Sequence, residues 1–315
     1  MTLKLRHLLK TAALLATIPL LLGGCGSAST ASGPQPAPGN CNLADYRTMV
    51  EQLAGDSGGH FAAGSRDNFK AMRYLESQFY NAGLVPGGEY GRYRQCFAMD
   101  NGGRACNVVG IIPGTGALAT EAVVVAAHFD RHPMKRPQDV TLGADDNASG
   151  AAGLVMIARM LQRPVVSAPR RTMILVALNG SQDNRAGLKT YLQSPIVRHD
   201  KTKLAIVLHR IGRLEDQLKV TLTGIDDARR KTMLKADAKA KGVPVRVVGG
   251  SRRATCQCDD AAPLAAKGIP TMTVTTGTHQ DVGKVGDNSH KLNWAGARKV
   301  LDTVAQTAHR AIYAL

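Results

Sequence analysis

EAVVVAAHFDRHPMKRPQDVTLGADDNASGAAGLVMIARML, residues 121–161, decides the fold. Its opening run, 122–127, is a continuous Val/Ala stretch of the length expected for a strand buried on both faces. The run ends in His128-Phe129-Asp130. A polar loop follows and closes in Gly143-Ala144-Asp145-Asp146-Asn147-Ala148-Ser149-Gly150. Residues 151–161 read as a small-residue, apolar helix. Strand, loop and helix in that order place His128 and two adjacent aspartates at the strand's carboxyl end, where open α/β sheets build their sites. Imidazole and carboxylate are ligands for a divalent metal such as zinc, and one carboxylate can bridge two ions. Asp130 is spaced to orient the His128 imidazole from behind. The plainer reading makes Asp145 a helix cap and His128 an ordinary strand-end histidine. HxD followed by GADDNASG is more specific than either feature alone.

Outward from this stretch the pattern repeats. Residues 43–53 and 66–82 read as helices, the second with Phe69, Met72, Leu75 and Phe79 at helical spacing and Gly83 as its cap. Strands are expected over 92–99, 105–112, 172–178, 204–208, 219–222, 243–248 and 271–275. Helices are expected from 186, over 226–240 and 259–267, and over 292–313. Strands alternating with helices argue a mostly parallel sheet sandwiched between helices, an α/β class fold.

The amino terminus reads as a targeting segment. Lys4, Arg6 and Lys10 precede an apolar core at 12–22 that is too short for a typical spanning helix. Leu22-Gly23-Gly24-Cys25 resembles a bacterial lipobox. This predicts a lipoprotein signal peptide over 1–24, a lipidated Cys25, a flexible Ser/Gly/Pro tether over 25–40 and a folded domain over 41–315, membrane-anchored in the bacterial cell envelope. Plain secretion with an unmodified Cys25 is the alternative. The formal charge of +16 falls to about +13 without the leader. Such a surface attracts acidic polymers or anionic headgroups, but no basic block interleaved with aromatics appears, so a nucleic-acid partner is not expected. An oxidising compartment permits disulfides among Cys41, Cys96, Cys106, Cys256 and Cys258. Five is odd, so one thiol is left over or pairs between chains. Cys96 and Cys106 flank a Gly-rich turn and are placed to face each other, with Cys41 a competitor for either.

His128-Phe129-Asp130 and the run from Gly143 to Gly150 resemble the signature of the M28 family of zinc exopeptidases. Asn107-Val108-Val109-Gly110 with Pro113-Gly114 is similar to that family's strand and turn, and 259–264 to its SDHAPF helix. The resemblance spans roughly 42–314. It implies a three-layer α/β/α sandwich with a mostly parallel mixed sheet, and two zinc ions held by His, a bridging Asp, Glu, Asp and His, with a Glu as general base. Carried over, His128 is the first ligand and Asp145 the bridging one, with Asp146 its neighbour. Gln182 falls at the general-base position and Asp183 at the ligand Glu. His209 replaces the next ligand Asp. Gly283 falls where the last His belongs, with Asp287 at the Asp that follows. His279, four residues before Gly283, is the candidate to reach in, and His290 faces solvent. One half-site, His128, Asp145 and His209, keeps a workable count for one zinc. Arg210 and Lys284 add positive charge that disfavours a second.

Two main functions follow from the resemblance. The first is a zinc-dependent metallopeptidase of aminopeptidase type, acting on peptides. The alternative is a catalytically impaired envelope lipoprotein that uses the peptidase fold to bind peptides or cell-wall fragments. Gln182 favours the alternative, because hydrolysis needs an acceptor for the water's proton and an amide has no useful basicity. A one-zinc cyclotransferase like the glutaminyl cyclases ranks third, since their Glu and His ligands are among the altered positions.

Overall fold

Every residue of the strand Ala122–His128 is buried, and its side chains alternate between two apolar layers. Val123, Val125 and Ala127 face one layer, and Ala122, Val124 and Ala126 the other. That alternation is the period-two signature of a strand covered on both faces. A computed structural model describes residues 39–54, 61–131, 141–162, 168–215, 218–223, 228–249 and 260–313. The expected leader, Cys25 and most of the tether, with His60, Cys256, Cys258 and Asp259, lie outside the described residues.

In chain order the elements are α1 (Leu43–Ala54), α2 (Arg66–Asn81), β1 (Val85–Pro86), β2 (Arg94–Ala98), β3 (Arg104–Ile112), β4 (Ala122–His128), α3 (Ser149–Leu161), β5 (Thr172–Leu178), α4 (Ala186–Gln193), β6 (Thr202–Leu208), β7 (Leu218–Thr223), α5 (Ala228–Ala240), β8 (Val245–Gly249), α6 (Ala261–Ala266), β9 (Thr271–Thr275) and α7 (Trp294–Tyr313). One sheet runs β1-β3-β5-β4-β6-β9-β7-β8, with β2 paired to β3. Its centre, β5-β4-β6-β9, is parallel. The β3–β5 and β7–β9 junctions are antiparallel. The larger core joins the sheet to α1, α2, α3 and α7, and the smaller one joins it to α4 and α6. The result is the expected α/β/α sandwich. None of the described helices is long and apolar enough to cross a membrane.

Helix ends follow local chemistry. Ser65 accepts the Asn68 amide at 3.1 Å and starts α2. The closing helix starts at Trp294, two residues later than expected, because Asn293 caps it by accepting the Gly296 amide at 2.8 Å. Cys96 and Cys106 stand opposite each other in the β2–β3 hairpin and form a disulfide, while Cys41 is a buried free thiol.

Candidate metal centre

Two strand ends and one turn build the site. His128 is the last residue of β4, and His209 directly follows β6. The turn Ala144–Ala148 leads straight into α3. It opens at Gly143 with φ +62°, where a Cβ would stand 2.6 Å from Arg131 Nε and 2.7 Å from the Asp146 carbonyl oxygen. Only glycine fits there without strain. The Asp146–Asn147 peptide is cis.

Asp145 and Asn147 of this turn, with Ser149 at the start of α3, stitch it to the loop after β6. Asp145 Oδ1 accepts the Gly212 amide at 2.7 Å, Asn147 Oδ1 accepts Arg210 at 3.0 Å, and Ser149 Oγ accepts Ile211 at 3.1 Å. Asn147 Nδ2 also donates to the carbonyls of His128 at 3.2 Å and Leu208 at 3.0 Å, tying the ends of β4 and β6 together. From the loop before α7, the Asp287 carboxylate accepts the Asp145 and Asp146 amides, each at 3.0 Å. Asp146, between the positions that face the loop after β6, is left to face the two imidazoles.

Asp146 Oδ1 lies 3.1 Å from His209 Nε2 and 3.7 Å from His128 Nε2, and its Oδ2 lies 3.8 Å from Arg210 Nη1. Burial alone would raise the Asp146 pKa. The hydrogen bond and charge of His209, with His128 and Arg210, outweigh it and hold the carboxyl well below the usual carboxylate range. Burial pushes the His209 imidazole down, against the pull of Asp146. Behind His128, Nδ1 is 3.2 Å from the Asp130 carbonyl and 4.0 Å from its carboxylate. Asp130 is fully buried, which raises its pKa, and its Oδ2 accepts Ser181 Oγ at 3.0 Å and the Gln182 amide at 3.4 Å.

His128, Asp146 and His209 are the group of metal-capable side chains found among the described residues. The carboxylate between the imidazoles is therefore Asp146, the residue expected only as a neighbour. Asp145, expected as the bridging ligand, spends one oxygen on the Gly212 amide and turns the other to His279 Nε2 at 3.2 Å. The physical reason is alternation along the turn: if 145, 147 and 149 face the loop, 146 cannot. Asp183 stands apart, accepting the Asp100 amide at 3.4 Å. The Gln182 Nε2 is 3.4 Å from Ser181 Oγ. His279 belongs to a second polar cluster with Asp145, Asp281 and Asp287, into which Arg213 and Lys291 also reach. His290 and Lys284 are exposed. Sequence reasoning did not single out Ser181, nor the anchoring tasks of Asn147 and Asp287; the Asx/Ser alternation at 145, 147 and 149 was the available signal.

The residues fit one dication. His128 Nε2 is buried and makes no hydrogen bond among the described residues. Two imidazoles and an ionised carboxylate are a donor set that suits zinc and leaves a coordination position open.

A parallel-centred α/β/α sandwich with this group at its strand ends has the architecture of the zinc exopeptidases. Residues 107–308, more than half of the chain, match Peptidase family M28, and the chain belongs to that family. Solved structures share the fold at low identity. LapA aminopeptidase of Legionella pneumophila is 16% identical, with a TM-score of 0.67 over 87% of this chain and 71% of that one. BSAP, a zinc aminopeptidase from Bacillus subtilis, is 12% identical, with a TM-score of 0.69 over 88% and 96%. The glutaminyl cyclase of Porphyromonas gingivalis is 19% identical, with a TM-score of 0.66 over 86% and 97%. No curated protein sequence matches the chain.

Proposed function

We propose that this chain is a one-metal, catalytically impaired member of the M28 family that binds peptides or cell-wall fragments at the bacterial envelope. The observation that carries this reading is the His128, Asp146 and His209 group. One oxygen of Asp146 faces the imidazoles, and the other faces the Arg210 guanidinium, which adds fixed positive charge beside any second ion. His128 and His209 would ligate through Nε2 and Asp146 through a carboxylate oxygen, with Asp130 holding the His128 ring. A bound zinc would supply Lewis acidity toward a carbonyl oxygen. Gln182, at the expected base position, is an amide, and loss of a general base costs about 10²- to 10⁴-fold in rate. Asp183 and His279, the expected partners of a second ion, make other contacts. Lipidation at Cys25 and the tether behind it would hold the domain at a membrane.

A second reading, a working aminopeptidase, draws on the same three donors, because three ligands and an open position suffice for hydrolysis in other zinc enzymes. Zinc per chain by elemental analysis, together with hydrolysis of an amino-acid p-nitroanilide panel, separates the two. The proposal expects one zinc, lost in His128→Ala, activity near the blank, and a gain of orders of magnitude in Gln182→Glu. Two zinc ions with substantial wild-type hydrolysis would establish the aminopeptidase reading instead.

A further inference from the structure

The loop after β6 serves two places. At one end it carries His209 to the metal group. At the other it carries Arg213 into a cavity of about 210 Å³, lined also by Glu215, Lys219, Thr276, Gly277, Thr278 and His279. The lining holds an arginine, a lysine and an imidazole against one carboxylate, and that carboxylate, Glu215, is exposed. Arg213 is fixed in place: Nη1 is 2.8 Å from Asp281 Oδ2 and Nη2 is 3.5 Å from Asp287 Oδ1. Asp281 is shared with Lys291 at 2.9 Å, so these two cations and two carboxylates balance, and the cavity's surplus positive charge is that of Lys219. Arg213 Nε is buried and makes no hydrogen bond among the described residues. Across the cavity, Lys219 makes no ion pair among the described residues. Its Nζ would stand 3.0 Å from a Cβ at position 277, which places the ammonium over this loop, and Gly277 suits the loop's φ of +112°. The Thr276 hydroxyl is already used, donating to the Arg210 carbonyl at 2.8 Å and accepting the Arg213 amide at 3.2 Å.

We propose that this cavity is an anion pocket that takes a carboxylate of the ligand, an acidic side chain or a terminal carboxylate, between Arg213 and Lys219. The inference rests on the peptide-binding reading above and names the chemistry that reading leaves open. Its size suits one such group, not a whole peptide. Its place fits a ligand that also reaches the metal group, since Arg213 lies on the loop that carries His209, Thr276 packs on that loop, and His279 contacts Asp145. A guanidinium held rigidly by two carboxylates and a lysine free to close are a fixed and an adjustable contact for one anion.

The test is calorimetric titration of the full-length chain, zinc-loaded and chelator-treated, with three short peptides. One carries Glu and an amidated end, one carries Gln and an amidated end, and one carries Gln and a free carboxyl end. Both carboxylate peptides should bind at least tenfold more tightly than the amidated Gln peptide, in either metal state. The Lys219→Met variant, at an exposed position that touches no metal ligand, should lose about tenfold for the carboxylate peptides alone, in line with loss of one charged hydrogen bond. Thr278→Val serves as a second variant, expected to weaken the same two peptides. Equal affinity for all three peptides, or no effect of Lys219→Met, overturns the pocket while leaving peptide binding standing. Preference for inorganic phosphate over every carboxylate also overturns it. Binding of no peptide at all, the neutral one included, removes the peptide-binding reading beneath it.

Discussion

Asp145 and Asp146 are neighbours in sequence with opposite tasks. Asp145 holds the backbone of the loop after β6, and Asp146 faces the imidazoles. Asp145→Ala would leave the buried Gly212 amide without its acceptor, which costs about 1–3 kcal/mol. Asp146→Asn keeps the shape of the turn but removes the ionised donor. The expected outcome is a split in zinc content: Asp146→Asn loses its zinc and Asp145→Ala retains it, while both unfold at lower denaturant than wild type, Asp146→Asn because its paired carboxylate also stabilises the metal-free fold. Elemental analysis and chemical denaturation of both variants check it. The residue types of the site were legible from HxD and GADDNASG. Which aspartate turns inward was not, because it depends on partners more than sixty positions away, the amides of 210–212. His209 was legible only through resemblance, as an imidazole in place of a carboxylate.

At the scale of elements, one side chain couples two strands to the site. Asn147 satisfies the carbonyls that end β4 and β6 and the Arg210 amide, so both metal-facing histidines depend on it. Asn147→Ala leaves three buried backbone groups short of a partner and should cost about 2 kcal/mol or more. Zinc affinity should fall with it, because His128 and His209 lose their common brace. The β2–β3 hairpin is the contrasting case. Its disulfide closes a short loop and includes no residue of the metal group. A Cys96→Ala/Cys106→Ala double variant should lose about 2–3 kcal/mol, with zinc content unchanged. Denaturation curves and zinc analysis on the two variants distinguish a brace of the site from a brace of the fold. The elements themselves were legible because buried strands read as Val/Ala/Leu runs. The order of the sheet was not. β9 inserts between β6 and β7, and β7 runs antiparallel to it, through pairings that no local pattern specifies.

For the whole molecule, the excess of Lys and Arg over acids, 40 to 24, makes the few paired carboxylates decisive in acid. Two sets oppose each other. Burial raises Asp130, Asp237 and Asp287, so their protonation favours the folded chain as the pH falls from neutrality. Asp281 does the reverse: hydrogen bonds from Lys291 and Arg213 hold it down at about 2. A carboxyl depressed on folding gives stability that is fully present above its unfolded pKa of about 3.9 and is lost as the pH drops toward the folded value. Asp146 is depressed in the same sense. Falling pH also adds positive charge to a chain already strongly positive, which disfavours the compact state. Asp281→Asn isolates one contribution from this sum. It should be less stable than wild type at pH 6, and the gap should narrow steadily between about pH 4 and about pH 2. Denaturant unfolding at several pH values measures that gap. A gap that stays constant across the range would mean that Asp281 stabilises the fold through the shape of its hydrogen bonds and not through its charge.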